Sequence, residues 1–536
     1  MSAARRKRWM KPSVKRKILL FWATAAKGRE MSYLIRGATI VAMDKAHGAD
    51  PFTGDILVEG DRIKQIGENI SDAGVGETID GHSKLVMPGL TNAHVHSWEA
   101  MFKGRYDNLP LEMWMLLCYP ILGAVPLPPR LIYLRTMIVG MECLKTGVTN
   151  VLDDVLEMPT QDLDQLEATF QAYDDLGMRA NLSGHIINKP FSDTIPFSDE
   201  YLPEDLKAKV SASVPPTTKY FVELAEEAVS RFHNKKGRLR YVVAPSGPQR
   251  CTDDMLVAAY ELADKHDMAY HIHILETKVQ AVTGHEFYGK TLIGHMNAIG
   301  ALGPRTTIAH SIWVTDEDIA MMADAGSTVV HNAISNQKLA AGIMPYRKLM
   351  DAGITIGLGS DGISTNDTPR IFDVMKAAAL LHKVSTPDFP HGPSASEMLH
   401  AGTINGARTA MIDGDTGSLE TGKKADLLIL NMKTLNFTPL NDVRNHLVYC
   451  ENGTSIEKVM VNGEIVVEDN RLKRVDEAAL LEELRGYLPE FQKQHAQLEA
   501  LNSAFRPAFE QIHKRCCGHD LGINRFSRPP SEWYQA

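Results

Sequence analysis

Cysteine is scarce in this 536-residue chain, and its spacing suggests no pairing. The six (Cys118, Cys143, Cys251, Cys450, Cys516 and Cys517) are scattered, none forms a CxxC, and the adjacent pair near the end is no disulfide framework. That usage excludes a disulfide scaffold and fits a reducing compartment, so a cytoplasmic protein is expected. Long apolar runs are missing too. No stretch reaches the roughly 18 residues that a membrane-spanning helix needs, and no membrane partner is expected. There is no internal repeat and no low-complexity block. Positive charge is thin in the body of the chain. Residues 1–30 hold ten Lys/Arg against Glu30 alone, a local +9, which leaves −18 on the remainder of a chain whose total is −9. An acidic body does not favour non-specific nucleic-acid binding.

What is present reads as a globular protein, 44% apolar and 23% charged. The length allows two or more domains, or one long α/β barrel. At the start, "RRKRWMKPSVKRKILLFWATAA" has the form of a signal peptide. The alternative is translation from Met31, because "MSYLIRGATIVAMD" reads at once as a strand. Neither reading puts a folded domain in residues 1–30.

From Tyr33 the texture is that of short strands: "YLIRGATIVAMD", "GDILVEGDRIKQIG" and "ETIDGHSKLVMPG" alternate apolar and polar residues between Gly and Asp. It returns late, in "KADLLILNM" and "VRNHLVYCENGTSIEKVMVNGEIVVED". One small β-domain built from residues 31–88 and 413–473 is expected. Between them, residues 89–412 alternate strand-like runs with amphipathic stretches such as "DDMLVAAYELADKH" and "TDEDIAMMADAG", each with an N-capping Thr or Asp. Eight apolar runs can be counted, ending in "NAHVH", "LDDV", "GHII", "VVAPS", "HILET", "IAHSIWV", "HNAIS" and "GLGSDG". Eight strands with intervening helices suit a (β/α)8 TIM barrel, although a doubly wound sheet uses the same alternation. Residues 474–536 read as helices and then an irregular tail, which could pack on a neighbouring subunit.

Polar residues fall at the ends of these runs, where a barrel carries its chemistry. In "TNAHVHSWEA", His94 and His96 are two apart, so on a strand both rings leave the same face. An isolated HxH is weak evidence, and a core role is the plain alternative. But His273 stands near the end of the fifth run with Glu276 three residues on, His310 ends "IAH", and Asp361 lies in "GLGSDG". Three imidazoles and a carboxylate suit a borderline divalent ion such as zinc. Such an ion can lower the pKa of a bound water from 15.7 to about 7.

The ordered words "MPGLTNAHVHSWEAMFKG", "HIHILET", "IAHSIWVTDEDI", "SNQKLAAGIMPYRKLMDAGITIGLGSDGISTND" and "GTINGARTAMI", followed by "GSLETGKKADLLIL", resemble the amidohydrolase superfamily. The resemblance spans roughly residues 34–465. It is closest to the branch of 5-methylthioadenosine/S-adenosylhomocysteine deaminases and s-triazine hydrolases such as atrazine chlorohydrolase. It implies a barrel beside a small β-sandwich, with one divalent metal per subunit held by His94, His96, His273 and Asp361. Zinc is the first expectation, and iron or manganese suit the same set. His310 would stand beside the metal-bound water. Two-metal relatives carry a bridging carboxylated lysine on a barrel strand, and "GVTNVLDDV" and "LRYVVAPS" contain none, which favours one ion. A homo-oligomer is expected from the same resemblance. Relatives that lost their ligands serve as scaffolds, but here every candidate ligand is present.

The expected reaction is attack of metal-bound hydroxide on an electron-poor ring carbon, with Asp361 sharing the water's proton. Glu276 would carry a proton to the ring nitrogen, and a pKa raised by partial burial would help it. A surface salt bridge is the alternative for Glu276. His271, deeper in the same strand, reads as structural. His185 and His331 could each line the pocket or be structural. The nucleoside deaminases have a Glu for the ribose hydroxyls where this chain has Leu122, and "PH" where this chain has "PS" at Ser246. A diol-gripping carboxylate is not replaced by an isobutyl group without loss of its hydrogen bonds, so a compact amino-, alkylamino- or halo-substituted N-heteroaromatic ring is expected. Trp98, Leu122, Ser246, Gln249, His331, Asn336 and Asn366 are the expected substrate contacts. Ammonia or an amine is the expected leaving group, with halide, or cleavage of an amide- or urea-type C–N bond, as the alternative.

Overall fold

The computed structural model describes residues 32–211, 215–385 and 387–528. The readings made for residues 1–30 and for the last eight residues lie outside them. All eight apolar runs form parallel strands: β1 (Leu90–His96), β2 (Val148–Val155), β3 (Arg179–Ile186), β4 (Leu239–Pro245), β5 (Tyr270–Ile274), β6 (Thr306–His310), β7 (Thr328–His331) and β8 (Ile356–Leu358). They pair in sequence order. The eighth run closes the ring: Leu358 pairs with His331 of β7, and three residues on Asp361 pairs with Val95 of β1. Strands covered on both faces read as continuous apolar runs rather than alternating ones, and β2 and β3 are buried along their whole length.

Helices pack outside the ring, so that Leu152, Leu182 and Val243 of the strands share a core with Phe170, Ala225 and Ala259 of the helices. The two expected caps differ. Thr315 opens Asp316–Asp324 with a full capping box to Asp318. Thr252, before Asp253–Lys265, makes no cap bond and instead exchanges hydrogen bonds with Asn188.

The small β-domain is one hydrogen-bonded sheet of nine strands drawn from both ends of the chain. Its seam is Leu427–Asn431 antiparallel to Lys84–Pro88, with Ile429 opposite Val86. Ile35 and Ile56 from one arm and Leu427 and Met460 from the other meet in a core separate from that of the barrel. Two C-terminal helices, Glu477–Asn502 and Arg506–Gly518, complete the molecule. The described part of the tail packs on its own chain. Arg525 bonds the carbonyls of Ile312 and Val314 and accepts from the Ile343 N–H, all on its own barrel mouth. No helix among the described residues is long and apolar enough to cross a membrane.

A candidate metal centre at the barrel mouth

His94 and His96 leave β1 on one face, and β5 brings His273 opposite them. His96 Nε2 lies 3.3 Å from His273 Nε2, and Asp361 Oδ1 is 3.2 Å from His94 Nε2 and 3.4 Å from His96 Nε2. The ligand atoms of His94, His96 and His273, and those of His94, His310 and Asp361, lie within 4.8 Å of one another. All are buried. The backbone is bent to achieve this. His310 and Asp361 hold φ of 79° and 66°, a left-handed conformation that costs a non-glycine residue free energy and gathers at functional sites. Gly359 lets the eighth run pass: a Cβ there would stand 2.8 Å from the Cβ of His94.

The tautomers follow from the second partner of each ring. His96 Nδ1 lies 2.7 Å from the Asp154 carbonyl and His273 Nδ1 lies 2.9 Å from that of Ser246. A carbonyl only accepts, so each Nδ1 carries the proton and each neutral ring turns a lone pair inward at Nε2. Two facing lone pairs at 3.3 Å have no proton to share, whereas a cation between them satisfies both. His94 Nε2 and His310 Nε2 are likewise buried without a hydrogen-bond partner. The donor set therefore fits a divalent ion with nitrogen and oxygen preference.

The field agrees. Burial lowers His94 to about 4 and takes His273 well below the ordinary histidine range. Burial also opposes charge on His96, yet the carboxylates of Glu99, Asp154 and Asp361 outweigh it and draw positive charge to this point, a charge that a cation between the rings supplies in place of a ring proton. Burial resists ionisation of Asp361, but the neighbouring His94, His310 and His96 hold its carboxyl below the usual range. Ser335 Oγ donates to its Oδ2 at 2.7 Å. Burial raises Glu276 to about 7, and its Oε2 lies 3.7 Å from His310 Nε2. His310 Nδ1 donates to Asn336 Oδ1 at 3.0 Å.

The cavity over this cluster brings together His96, His273, Glu276, His310 and Asp361 with His185, Glu99, Arg250 and Thr365 under an apolar wall of Leu111, Trp114, Met115, Tyr119 and Leu339. None of the seven expected substrate contacts is among the residues that line it. Trp98 stands behind Tyr119, edge-on at 4.6 Å. Leu122 packs beside Met113 and Leu116, and its main chain is held by Asn502. Ser246 gives its carbonyl to His273 and its hydroxyl to Arg250. Gln249 is buried beside Gly247. His331 bonds His382 at 2.9 Å, Asn336 holds His310, and Asn366 donates to the Ser360 carbonyl.

His271 does more than fill the core. Two residues from His273, it shares that inward face, and its Nε2 lies 2.7 Å from His94 Nδ1. His185 lines the cavity, its Nδ1 2.7 Å from Asp154 Oδ2. Glu99 was not anticipated. Burial lifts it to about 8, it accepts from Ser364 Oγ at 2.7 Å, and only a glycine at 362 leaves room for its carboxyl.

Comparison with known proteins gives the family. The amidohydrolase family model matches residues 85–466, and the chain belongs to that family. It is 32% identical over 451 residues to a 5'-deoxyadenosine deaminase of Methanosarcina barkeri, which covers 84% of this chain and 96% of the relative. It is 30% identical to a 5-methylthioadenosine/S-adenosylhomocysteine deaminase of Caldanaerobacter subterraneus, covering 83% and 95%. Among solved structures, atrazine chlorohydrolase TrzN from Arthrobacter aurescens, complexed with zinc, superposes with a TM-score of 0.76 at 25% identity, covering 85% of this chain and all of that one.

Proposed function

We propose that this amidohydrolase is a single-metal aminohydrolase of compact N-heteroaromatic rings, with His94, His96, His273 and Asp361 holding one divalent ion, zinc first. The observation that carries the reading is the inward convergence of Nε2 lone pairs, each ring's other nitrogen already committed, upon one carboxylate. A divalent ion held there supplies Lewis acidity, which lowers the pKa of water from 15.7 to about 7. The chain's own groups do the rest. Asp361 stays ionised, which suits both a cation and the hydrogen bond of an attacking water. His310, its Nδ1 proton tied to Asn336, offers Nε2 as acceptor for the same water. Glu276, at about 7, holds both protonation states near neutrality, so it can take that proton and pass it to the ring nitrogen and then to the leaving amine.

Hydrolysis at a C–N bond is favoured because the similar curated enzymes are deaminases. Release of halide is kept as the second reading because atrazine chlorohydrolase is among the structural neighbours. We place the enzyme in a reducing compartment, in keeping with its six unpaired thiols, as a homo-oligomer.

The test uses purified enzyme, chelated and then reloaded with zinc, against aminated and halogenated heteroaromatics with ammonium and halide read together. Activity should vanish on chelation and return with zinc. Glu276→Gln should keep the metal and lose about 10²–10⁴-fold in rate, the usual worth of a positioned acid–base group. A metal-free preparation that stays fully active, or a fully active Glu276→Gln, rules the reading out.

A further inference from the structure

Arg250, half-buried at the cavity wall, differs from the other arginines drawn into the fold. Arg135, Arg179 and Arg238 each face a carboxylate, those of Glu157, Asp426 and Asp174. Arg240 and Arg525 bond pairs of main-chain carbonyls. Arg250 has neither. It sits in the turn Pro248–Arg250 after β4 and lines the catalytic cavity beside Glu276 and Tyr119. Its two contacts are NH1 to Ser246 Oγ at 3.2 Å and NH2 to Met115 Sδ at 3.1 Å. A hydroxyl and a thioether are neutral, and the sulfur is a weak acceptor. No carboxylate lies within ion-pair distance among the described residues.

A guanidinium keeps its charge and has five donors in a rigid fork. Half-buried at the cavity and met only by neutral groups, Arg250 has no matching acceptor for its charge from the protein. Leu111, Trp114, Met115 and Tyr119 line the cavity around it, and Glu276 feels its charge without coming within ion-pair distance. The unfilled acceptor is therefore one that the substrate brings. We propose that Arg250 recognises an oxygen on the substrate ring, either a ring oxo group or a ring carboxylate, and so selects oxygen-bearing azaheterocycles over oxygen-free ones. This rests on the aminohydrolase reading for the ring, not for the recognition. It adds an oxygen substituent to the expected amino-, alkylamino- or halo-substituted ring.

Two matched pairs separate the sources of oxygen: cytosine against 4-aminopyrimidine for the oxo group, and 2-aminopyrimidine-5-carboxylate against 2-aminopyrimidine for the carboxylate. Affinity is measured calorimetrically on zinc-loaded enzyme. In at least one pair the oxygen-bearing ring should bind roughly tenfold or more tightly, the range for a hydrogen bond to a charged group. That preference should collapse in Arg250→Met and return in part in Arg250→Lys, with zinc content unchanged throughout. A purely structural arginine would not shift the ratio within a pair. Equal binding within both pairs, no binding of any probe, or a preference that survives Arg250→Met overturns the proposal. A clear preference without ammonia release from any ring would instead sink the aminohydrolase chemistry and leave the recognition standing. Ammonia release from rings irrespective of oxygen would do the reverse.

Discussion

A ligand imidazole is only as good as the group behind it. For His94 that group is His271. If His94 gives Nε2 to a cation, its proton resides on Nδ1, and His271 Nε2, 2.7 Å away, must accept it. His271→Phe would leave a buried N–H unpaired, costing about 1–3 kcal/mol, and should weaken zinc binding about 10–100-fold. His271→Gln, with a carbonyl oxygen to accept, should recover part of that. Zinc competition against a chelator measures both, and unchanged affinity in the Phe variant would refute the tautomer. The cluster was legible because strand periodicity and the family words mark His94, His96, His273 and Asp361 together. The role of His271 was not, because reaching β1 from β5 is a matter of barrel closure. Glu99 and Arg250 gave no signal either. Each sits in a short turn after a strand, and only the folded turn shows what its side chain meets.

The C-terminal helices act at the scale of elements. Leu484, Phe491, His495 and Asn502 are the buried positions of Glu477–Asn502, a single stripe facing inward. From that stripe Asn502 bonds both the N–H and the carbonyl of Leu122, and Glu499 meets Arg105 and Tyr106. The second helix sets His513 3.6 Å from Glu112, which in turn accepts from Thr277 Oγ1 at 2.6 Å, next to Glu276. The two helices thus buttress Leu111–Cys118, which roofs the cavity. Burial opposes charge on His513, but Cys517 and Glu112 outweigh it and raise it to about 10. A histidine raised above its unfolded value of about 6.5 contributes stability fully below that pH and loses it as pH climbs through the folded value. The melting temperature of the wild type should therefore exceed that of His513→Gln by most near pH 6, and the gap should shrink toward pH 10. A gap independent of pH would mean that the pair carries no charge. The helical texture of this region was plain in the sequence. Its docking on the roof was not, because the contacts join residues nearly 400 positions apart.

At the scale of the molecule, the sheet built from both chain ends must be fixed to the base of the barrel, far from the metal cluster. Alternating texture at the two ends announced the sheet, and eight apolar runs announced the barrel, but the joint between them, where Leu428 and Val459 enter the barrel's core beside a buried ion pair, left no pattern. Arg179, the first residue of β3, bonds Asp426 at 2.6 and 3.1 Å, and Asp426 immediately precedes the seam strand Leu427–Asn431. Both are buried, and Asp426 also accepts from the Asn462 N–H at 2.7 Å. Breaking a buried pair from one side strands the other charge. Asp426→Ala should therefore cost about 3–5 kcal/mol of unfolding free energy. The double variant Arg179→Met with Asp426→Ala removes the stranded guanidinium, so it should lose less than the single variant does, with the difference reporting the coupling. Urea unfolding of the wild type, both single variants and the double variant decides it. If the double variant is as unstable as the sum of its parts, the pair is not a coupled joint, and the sheet is held to the barrel by packing alone.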